Sequence, residues 1–493
     1  MQNEKKNTLQ LLLFSLFVSA IFIAICSKNS FLYPLQDWVD VNCYFTVGKS
    51  IANGKILYQE VFDHKGPVLH FLYALAYLIS NTTFLGVYIL ETVSIGLFLF
   101  LSGKCLQFYT KNNTTIYCIL ALIAFTITTS SAYAHGGSVE GLCLFCLCMC
   151  LYTSLRALRQ GIENIPSKLW LVNGLCVGFV FWIKYTMLGL YIGAFLFFFI
   201  YILCARKKNV LLPMIGFVAL GFIIVTLPIL VYFIVNGALF DLWDAYFYKN
   251  IFLYSAKISL FTKLITVVFA VYDTVIHNLG YALFITIGIF WALYKRNLET
   301  LFLIVALSFW ALGTYIGGVT YFYYGFTLAS FTAIGFGSLI DIFKKNNYVI
   351  KAKTKSILLV VLLIVLPITS YFVSDNTYLM SYSKEDIPQF IFAKEIEKTE
   401  NATLLNYGFL DGGFYFAANA VPSYKFFCEF NMDIPELTES MDNAIKYHEV
   451  DFVVTKNETL ESIFGDVEYE CIKEADYFFE DSLDTYYLYK RIQ

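Results

Sequence analysis

Residues 36–67 read QDWVDVNCYFTVGKSIANGKILYQEVFDHKGP and form a polar loop in a very apolar chain. The loop follows one apolar run, Leu9–Ile25, and precedes a shorter one, Val68–Ile79. It concentrates acids, lysines and a histidine, although charged residues make up only 14% of the protein. Charges are costly beside lipid, so a membrane protein that keeps such a loop is expected to use it.

The overall composition indicates an integral membrane protein. The chain has 493 residues, of which 58% are hydrophobic and 19% aromatic. Soluble domains carry about a quarter charged residues, well above the content found here. Lys and Arg total 34 against 37 Asp and Glu, so there is no basic excess and no nucleic-acid partner is expected.

Apolar runs of membrane-spanning length predict an all-α polytopic protein with roughly eleven transmembrane helices. Val68–Ile79 is too short to cross, so we predict a re-entrant or juxtamembrane helix there. The predicted spans are Leu9–Ile25, Phe84–Leu101, Ile116–Tyr133, Val139–Leu155, Leu169–Trp182, Met187–Cys204, Leu212–Val235, Val275–Leu293, Leu301–Ile316, Phe322–Ile342 and Ile357–Phe372.

The basic residues predict the orientation of these spans. Lys5 and Lys6 precede the first span and place the N-terminus inside the cell. Every second connection between the predicted spans carries further Lys and Arg. These basic connections also lie inside the cell if Val68–Ile79 does not cross the membrane. The polar loop of residues 36–67 and the C-terminal tail are then external.

The chain is predicted to contain two domains. Residues 1–373 would form the multi-span domain, with residues 28–83 as its first external loop. Residues 374–493 are more polar and alternate strand-like runs (403–407, 452–455 and 485–489) with a helical pattern at 434–450. They predict a small external α/β domain.

Most of the twelve cysteines lie inside apolar runs. Cys143, Cys146, Cys148 and Cys150 point in different directions on a helix and have no acid or histidine among them, so we interpret them as small hydrophobic residues. Cys428 and Cys471 lie in the polar tail, where pairing is possible in an oxidising compartment and is left open.

The loop of residues 36–67 combines three features that sugar transfer from a lipid phosphate requires. These are a carboxylate to take the acceptor's proton, cations to hold the departing phosphate, and an apolar surface for the lipid chain. The apolar run Val68–Ile79 follows directly. The acids are Asp37, Asp40, Glu60 and Asp63, and the cations are Lys49, Lys55, His64 and Lys65.

Three motifs in this loop carry a resemblance to a known family. They are D-x-x-x-Y-F-x-x-G-K from Asp40, N-G-x-x-L-Y from Asn53, and D-H-K-G-P from Asp63. The pattern resembles the opening of the polyprenyl-phosphate-sugar-dependent membrane glycosyltransferases of the C superfamily, which include protein O-mannosyltransferases and bacterial aminoarabinose transferases. The resemblance extends from the first span to about Tyr185.

The resemblance implies a function and a compartment. It implies an inverting glycosyltransferase in the bacterial cytoplasmic membrane, which moves a sugar from a polyprenyl-phosphate donor to an extracytoplasmic acceptor in the cell envelope. By position, Asp40 matches the catalytic base. Asp63, His64 and Lys65 match a substrate-binding element in which the lysine meets the lipid phosphate.

Two residues beyond the loop match further substrate-binding positions of the family, Glu140 and Lys184. Relatives differ in their need for a divalent cation, so Mg²⁺ or Mn²⁺ is an open expectation, with Asp40 and Glu140 as its ligands if one binds. The mannosyltransferases have an Asp-Glu pair, but here Asp40 is followed by Val41. The broader bacterial group is therefore favoured over mannosyl transfer to protein.

Other residues have competing interpretations. Asp37 is a rival base or a helix N-cap. Asp241, Asp244, Asp273 and His277 are more often solvated loop or boundary residues than functional groups. Tyr321, Tyr323 and Tyr324 are predicted to be an interfacial aromatic belt rather than a platform for sugar.

A transporter or flippase of lipid-linked saccharides is the alternative function. Such proteins often carry helices broken by Pro or Gly in paired halves of the chain. Here Pro213 and Pro228 share one predicted span without a counterpart in the other half, and charges cluster at external ends. An enzyme is therefore favoured, and an inactive scaffold for envelope assembly is a third, weaker alternative.

Overall fold

The computed structural model describes residues 2–346, 348, 351–479 and 482–492 and is mainly helical. The first half contains α1 Gln2–Cys26, α2 Val39–Ala52, α3 Pro67–Ile79, α4 Leu85–Leu106, α5 Asn113–Thr128, α6 Val139–Gln160, α7 Ser167–Lys184, α8 Gly189–Cys204 and α9 Leu211–Val235. The middle contains α10 Leu239–Leu242, a π-helix at Trp243–Tyr254, α11 Leu260–His277, α12 Leu279–Lys295, α13 Leu298–Tyr315, a 3₁₀ segment at Phe322–Phe331, α14 Thr332–Lys345 and α15 Ala352–Val373.

The tail adds short helices and one sheet. The helices are α16 Pro388–Ile396, α17 Phe414–Ala417, α18 Pro435–Lys446 and α19 Leu460–Phe464. The strands are β1 Leu404–Asn406, β2 Phe452–Lys456, β3 Tyr469–Phe479 and β4 Ser482–Arg491. The sheet order is β1-β2-β4-β3, with β1 parallel to β2 and the remaining neighbours antiparallel.

Within the described ranges, nine segments are long and apolar enough to cross a membrane. One of them, Ser167–Cys204, contains both α7 and α8, and the apolar helices α3, α5 and α12 are shorter. The polytopic all-α fold with a small C-terminal sheet is therefore confirmed. The nine segments are Glu4–Cys26, Leu85–Leu106, Val139–Gln160, Ser167–Cys204, Lys208–Val235, Leu260–His277, Leu298–Tyr315, Phe322–Lys345 and Ala352–Val373.

The region after α9 differs from the expectation. The predicted spans Leu212–Val235 and Val275–Leu293 leave a loop between them, but α10, the π-helix and α11 occupy most of this region. Helix α11 was not predicted, because Lys263, Asp273 and His277 interrupt its apolar run. The face with Val267, Ala270 and Thr274 is nevertheless buried, which explains the helix.

The chain divides into two compact units. Unit 1 comprises Met1–Ser27, Tyr88–Ile229 and Ala256–Thr377. Unit 2 comprises Lys28–Val87, Leu230–Ser255 and Tyr378–Gln493. The predicted tail therefore belongs to the same unit as most of the predicted first external loop.

In unit 1, small residues let helices approach closely. A Cβ on Gly189 of α8 would lie 2.2 Å from the carbonyl oxygen of Phe309 and 2.9 Å from the Cα of Gly313, both on α13. Close glycine contacts of this kind are typical of helix packing in membranes, where apolar burial alone gives little attraction. The four cysteines at 143–150 are buried along α6, as expected for small hydrophobic residues.

In unit 2, α2 and α3 pack tightly on each other. A Cβ on Gly48 of α2 would lie 2.5 Å from the backbone carbon of Tyr73 on α3. Helix α3 has 13 residues, and it buries His70 and Tyr73 while Leu75 and Leu78 stay exposed. At about 1.5 Å per residue it is too short to span a bilayer.

The sheet of unit 2 contains three strands that match the predicted runs, β1, β2 and β4. Strand β3 was not predicted, because its sequence YECIKEADYFF reads as polar. Among the described strands it pairs only with β4, at the edge of the sheet, and most of its side chains are exposed, which accommodates its many charged residues. Cys471 on β3 is exposed and Cys428 is buried; both are free.

Candidate active site

Asp40 is the second residue of α2 and is half-buried. The hydroxyl of Tyr44, one helical turn later, donates a hydrogen bond of 3.1 Å to its Oδ2. The first turn of a helix favours a negative charge, because its backbone N–H groups point toward it. The local structure therefore holds Asp40 as an oriented carboxylate that can accept a proton.

Asp63, His64 and Lys65 form a compact turn just before α3. One carboxylate oxygen of Asp63 accepts hydrogen bonds from the backbone N–H groups of His64, at 2.5 Å, and Lys65, at 3.1 Å. The same oxygen lies 3.3 Å from Nδ1 of His64. On the far side of the imidazole, Nε2 lies 2.6 Å from the ammonium nitrogen of Lys65. We refer to these three residues as the DHK turn.

These contacts imply a defined proton arrangement. A lysine ammonium can only donate, so the Nε2 atom that it approaches acts as the acceptor. The proton of a neutral His64 then sits on Nδ1, beside the Asp63 carboxylate. The imidazole thus links a negative group to the ammonium of Lys65 and fixes its position.

Burial and charge oppose each other at Asp63. Burial alone would raise the pKa of this carboxyl, but His70, the Lys65 ammonium and the hydrogen bond from the Lys65 backbone N–H hold it below its ordinary value. Nε2 of His70 lies 3.7 Å from the second oxygen, which also accepts from the Cys43 thiol at 3.7 Å. Asp63 is therefore ionised at neutral pH.

The π-helix Trp243–Tyr254 supports the DHK turn, a role that the sequence did not reveal. The side-chain amide of Asn250 donates to the carbonyl oxygen of His64 at 2.6 Å. The ring of Tyr254 lies 5.1 Å from the His64 ring and 6.0 Å from the Lys65 ammonium nitrogen. In sequence, the π-helix resembles an aromatic-rich segment at the membrane surface. No sequence pattern therefore links it to residues 63–65.

Asp244 and Asp241, both weighed as solvated acids, are engaged in unit 2. Asp244 pairs with Lys249, and Asp241 lies 3.7 Å from the Lys425 ammonium. Asp37, the rival base, is buried in an ion pair of 2.7 Å with Lys28, and it accepts from the Tyr477 hydroxyl at 3.0 Å. Because Asp37 is buried and already bound to Lys28 and Tyr477, it is less suited to take a proton from a substrate. This favours Asp40 as the base.

In unit 1, Glu140 and Lys184 form an ion pair of 2.6 Å. Glu140 lies in the first turn of α6, and Lys184 is the last residue of α7. The Lys184 ammonium lies 3.3 Å from the ring centroid of Tyr324, an arrangement that favours cation–π attraction. Tyr324 and Tyr323 are buried, so they do not form the predicted interfacial belt. Asp273 and His277, by contrast, are largely exposed and pair with each other at 3.0 Å.

The second oxygen of Glu140, Oε2, is buried and has no hydrogen-bond partner among the described residues. A buried carboxylate oxygen without a partner is costly, so a hydrogen bond from any ligand group that reached it would be favoured.

A buried carboxylate that the sequence analysis missed, Glu91 on α4, organises the connection before α6. It accepts hydrogen bonds from the hydroxyls of Ser27 and Tyr133, at 2.7 and 2.6 Å, and from the Gly137 N–H at 3.0 Å. A lone acid in an apolar run was the available signal for it. Through Gly137, Glu91 fixes the backbone that leads to Glu140.

The predicted residues thus form two clusters, one in each unit: the DHK turn in unit 2 and Glu140–Lys184 in unit 1. Asp40 lies in the same unit as the DHK turn. Within the described part of the chain, no three His, Cys, Asp or Glu side chains are grouped as a metal site requires. Binding of Mg²⁺ or Mn²⁺ by Asp40 and Glu140 stays a prediction.

Comparison with known proteins finds one matching family model and solved structures with a similar fold. Residues 64–232 match the family model described as dolichyl-phosphate-mannose-protein mannosyltransferase. The structure is similar to ArnT from Cupriavidus metallidurans bound to undecaprenyl phosphate, with a TM-score of 0.62, 11% identity and 97% of each chain covered. The apo state of that protein matches with a TM-score of 0.61, 10% identity and the same coverage. No curated protein sequence matches the chain.

The resemblance to the polyprenyl-phosphate-sugar-dependent glycosyltransferases is confirmed. The family match begins at His64, inside the DHK turn, and the ArnT fold extends over nearly the whole chain. Together with the long apolar segments, they indicate an integral membrane protein with a fold similar to that of ArnT.

Proposed function

We propose that this protein transfers a sugar from a polyprenyl phosphate to an acceptor outside the bacterial cytoplasmic membrane, with inversion at the anomeric carbon. The proposal places the N-terminus inside the cell, and the loop of residues 36–67 and the tail outside. The observation that carries it is the DHK turn, in which an imidazole holds the Lys65 ammonium. Support for the lipid comes from the similar ArnT, which was solved with undecaprenyl phosphate bound.

The reaction assigns one role to each group. The acceptor hydroxyl oxygen attacks the anomeric carbon while Asp40 takes its proton. The bond between that carbon and the phosphate oxygen breaks, and polyprenyl phosphate leaves. Lys65 stabilises the charge that grows on the leaving phosphate. Because its nearest contact is a neutral nitrogen rather than a carboxylate oxygen, its charge is available for this purpose.

Glu140 and Lys184 are proposed to bind substrate. The unpartnered Oε2 of Glu140 accepts a hydrogen bond from a hydroxyl of the sugar, and the ion pair with Lys184 holds the carboxylate in place. If a divalent cation takes part, Asp40 and Glu140 are its proposed ligands.

The test separates the enzyme from the flippase. Purified protein is reconstituted in vesicles that contain a radiolabelled polyprenyl-phosphate sugar, together with envelope extract as the source of acceptors. We expect transfer by the wild type, a loss of 10²–10⁴-fold in Asp40→Asn, and little change in Glu60→Gln, an exposed acid of the same loop. Transbilayer movement of the donor without any transfer would overturn the proposal in favour of the flippase.

A further inference from the structure

Unit 2 contains a half-polar cleft that no role has yet explained. Its volume is about 520 Å³, within the range of ordinary ligand sites. The walls come from the glycine-containing connection after β1, the turn after β2, the β3–β4 hairpin and the segment just before α2. Val39, in its wall, is the residue before Asp40 at the start of α2, so the cleft lies next to the helical turn that carries the proposed base.

One residue that lines the cleft, Gln389, carries an unpartnered acceptor. Gln389, at the start of α16, is only 2% exposed. Its amide nitrogen donates to the carbonyl oxygen of Gly412 at 2.7 Å, which fixes the orientation of the amide. Its Oε1 has no hydrogen-bond partner among the described residues. Since a buried amide oxygen without a partner costs free energy, a ligand hydroxyl that reached it would be favoured.

Further polar and aromatic groups surround this acceptor. Glu429 is half-buried in the wall, and burial raises the pKa of its carboxyl. Asn431 lies at the exposed rim and can both donate and accept. Phe479, half-buried, and Tyr486 add aromatic surface. Sugar rings combine hydroxyls with apolar C–H faces, and therefore suit walls in which amides and carboxyls alternate with aromatic rings.

The charges disfavour an anionic ligand. Asp37, Glu429 and Glu458 line the cleft together with Lys456, and the charge of Asp37 is compensated by its ion pair with Lys28. The Lys456 ammonium lies 2.8 Å from the Asp484 carboxylate, so its positive charge is largely compensated by that ion pair. A phosphate or a uronic acid would meet net negative charge, whereas a neutral sugar or an amino sugar would not.

We infer that this cleft binds the acceptor, and that the acceptor is a neutral or amino-sugar saccharide. The inference rests on the proposed function, because it assigns the cleft to the acceptor side of that reaction. Gln389 Oε1 and the Glu429 carboxyl bind sugar hydroxyls, and Phe479 stacks on a sugar ring. The C-terminal domain then selects the acceptor and presents it toward Asp40.

The test measures saccharide binding directly, without catalysis. Full-length protein in detergent is applied to an array of neutral, amino and acidic glycans, and affinities for neutral and amino trisaccharides are measured by saturation-transfer NMR. We expect saturable binding of neutral or amino glycans in preference to acidic ones. Phe479→Ala and Glu429→Gln should weaken it at least tenfold. Phe478→Ala is the matched control, because Phe478 neighbours Phe479 on β3, is 47% exposed and does not line the cleft.

The outcomes distinguish this inference from the proposed function. Saccharide binding should be unchanged in Asp40→Asn, because Asp40 acts in the reaction and not in the cleft. Saccharide binding by the wild type without any transfer would refute the proposed reaction and leave the cleft assignment standing. Transfer with an unchanged acceptor KM in Phe479→Ala would refute the cleft assignment alone. Absence of binding by every glycan, or a preference for acidic ones, would also overturn it.

Discussion

The DHK turn and the Glu140–Lys184 pair each place a lysine near a carboxylate, but they leave the two ammonium groups in different states. Lys184 contacts the carboxylate of Glu140 directly at 2.6 Å and lies over the Tyr324 ring. Lys65 contacts an imidazole nitrogen, and the Asp63 carboxylate lies on the other side of that ring. The first arrangement neutralises the cation, whereas the second positions it and leaves its charge available to an anion.

The largest expected difference follows from this contrast. Lys65→Met should lower the transfer rate by roughly 10²–10³-fold, the usual cost of removing one group that stabilises a developing negative charge. Lys184→Met should cost clearly less, since Lys184 acts on substrate only through Glu140. Rates measured with saturating donor test this. Equal losses in the two variants would show that both lysines meet the phosphate and would remove the contrast.

The Glu140–Lys184 pair should contribute to the stability of the fold, since it neutralises two mostly buried charges. Glu140→Gln leaves the Lys184 ammonium beside a neutral amide in a mostly buried site, and we expect a loss of roughly 1–3 kcal/mol in unfolding free energy. The double variant Glu140→Gln/Lys184→Met removes both charges and should recover part of that loss. Thermal unfolding in detergent measures both. A double variant less stable than Glu140→Gln would contradict the interpretation that the two charges compensate each other.

The imidazole of the DHK turn should affect binding more than chemistry. His64→Ala removes the group that holds the Lys65 ammonium, so we expect the donor KM to rise about tenfold while kcat changes little. His64→Gln retains a polar side chain and should restore part of the affinity. A fall in kcat with an unchanged KM would instead assign His64 to the chemical step.

The smallest effect concerns Lys49, which lies in the same polar loop of residues 36–67 as Lys65. Burial lowers its pKa to about 7, although the charge of Asp411 opposes this. Between pH 7 and its ordinary value of 10.5, the unfolded chain holds a proton that the folded chain has released, so stability should rise with pH. We expect wild-type melting temperature to increase by a few degrees from pH 7 to pH 9, and Lys49→Met to lose this dependence. An unchanged slope in Lys49→Met would show that Lys49 stays charged in the fold.

The parts of this structure that could be predicted from sequence are those with local causes. Apolar runs predicted the multi-span fold, and the D-H-K-G-P motif predicted a cluster because its residues are adjacent in the chain. Strand β3 was missed because an exposed strand that pairs on one side has little apolar pattern. The support from Asn250 and Tyr254 joins residues almost 200 positions apart, and no local pattern encodes it.

The sequence also could not rank the acids of the first loop. Asp37 and Asp40 are three residues apart and equally polar, and only the fold shows that Asp37 is buried against Lys28 and Tyr477. Glu140 and Lys184 were named because they match family positions. Their contact depends on how α6 packs against α7, which hydrophobic patterning does not define.

The most direct test of the account measures donor binding and transfer on the same preparations. Equilibrium binding of a polyprenyl-phosphate sugar and its transfer would be determined for the wild type, Asp40→Asn and Lys65→Met, with Lys49→Met as the matched lysine control. We expect Asp40→Asn to bind the donor within about threefold of the wild type but hardly to transfer it, and Lys65→Met to bind the donor about tenfold more weakly and to transfer it slowly even at saturation. Normal transfer by Asp40→Asn, or wild-type donor affinity in Lys65→Met, would contradict it.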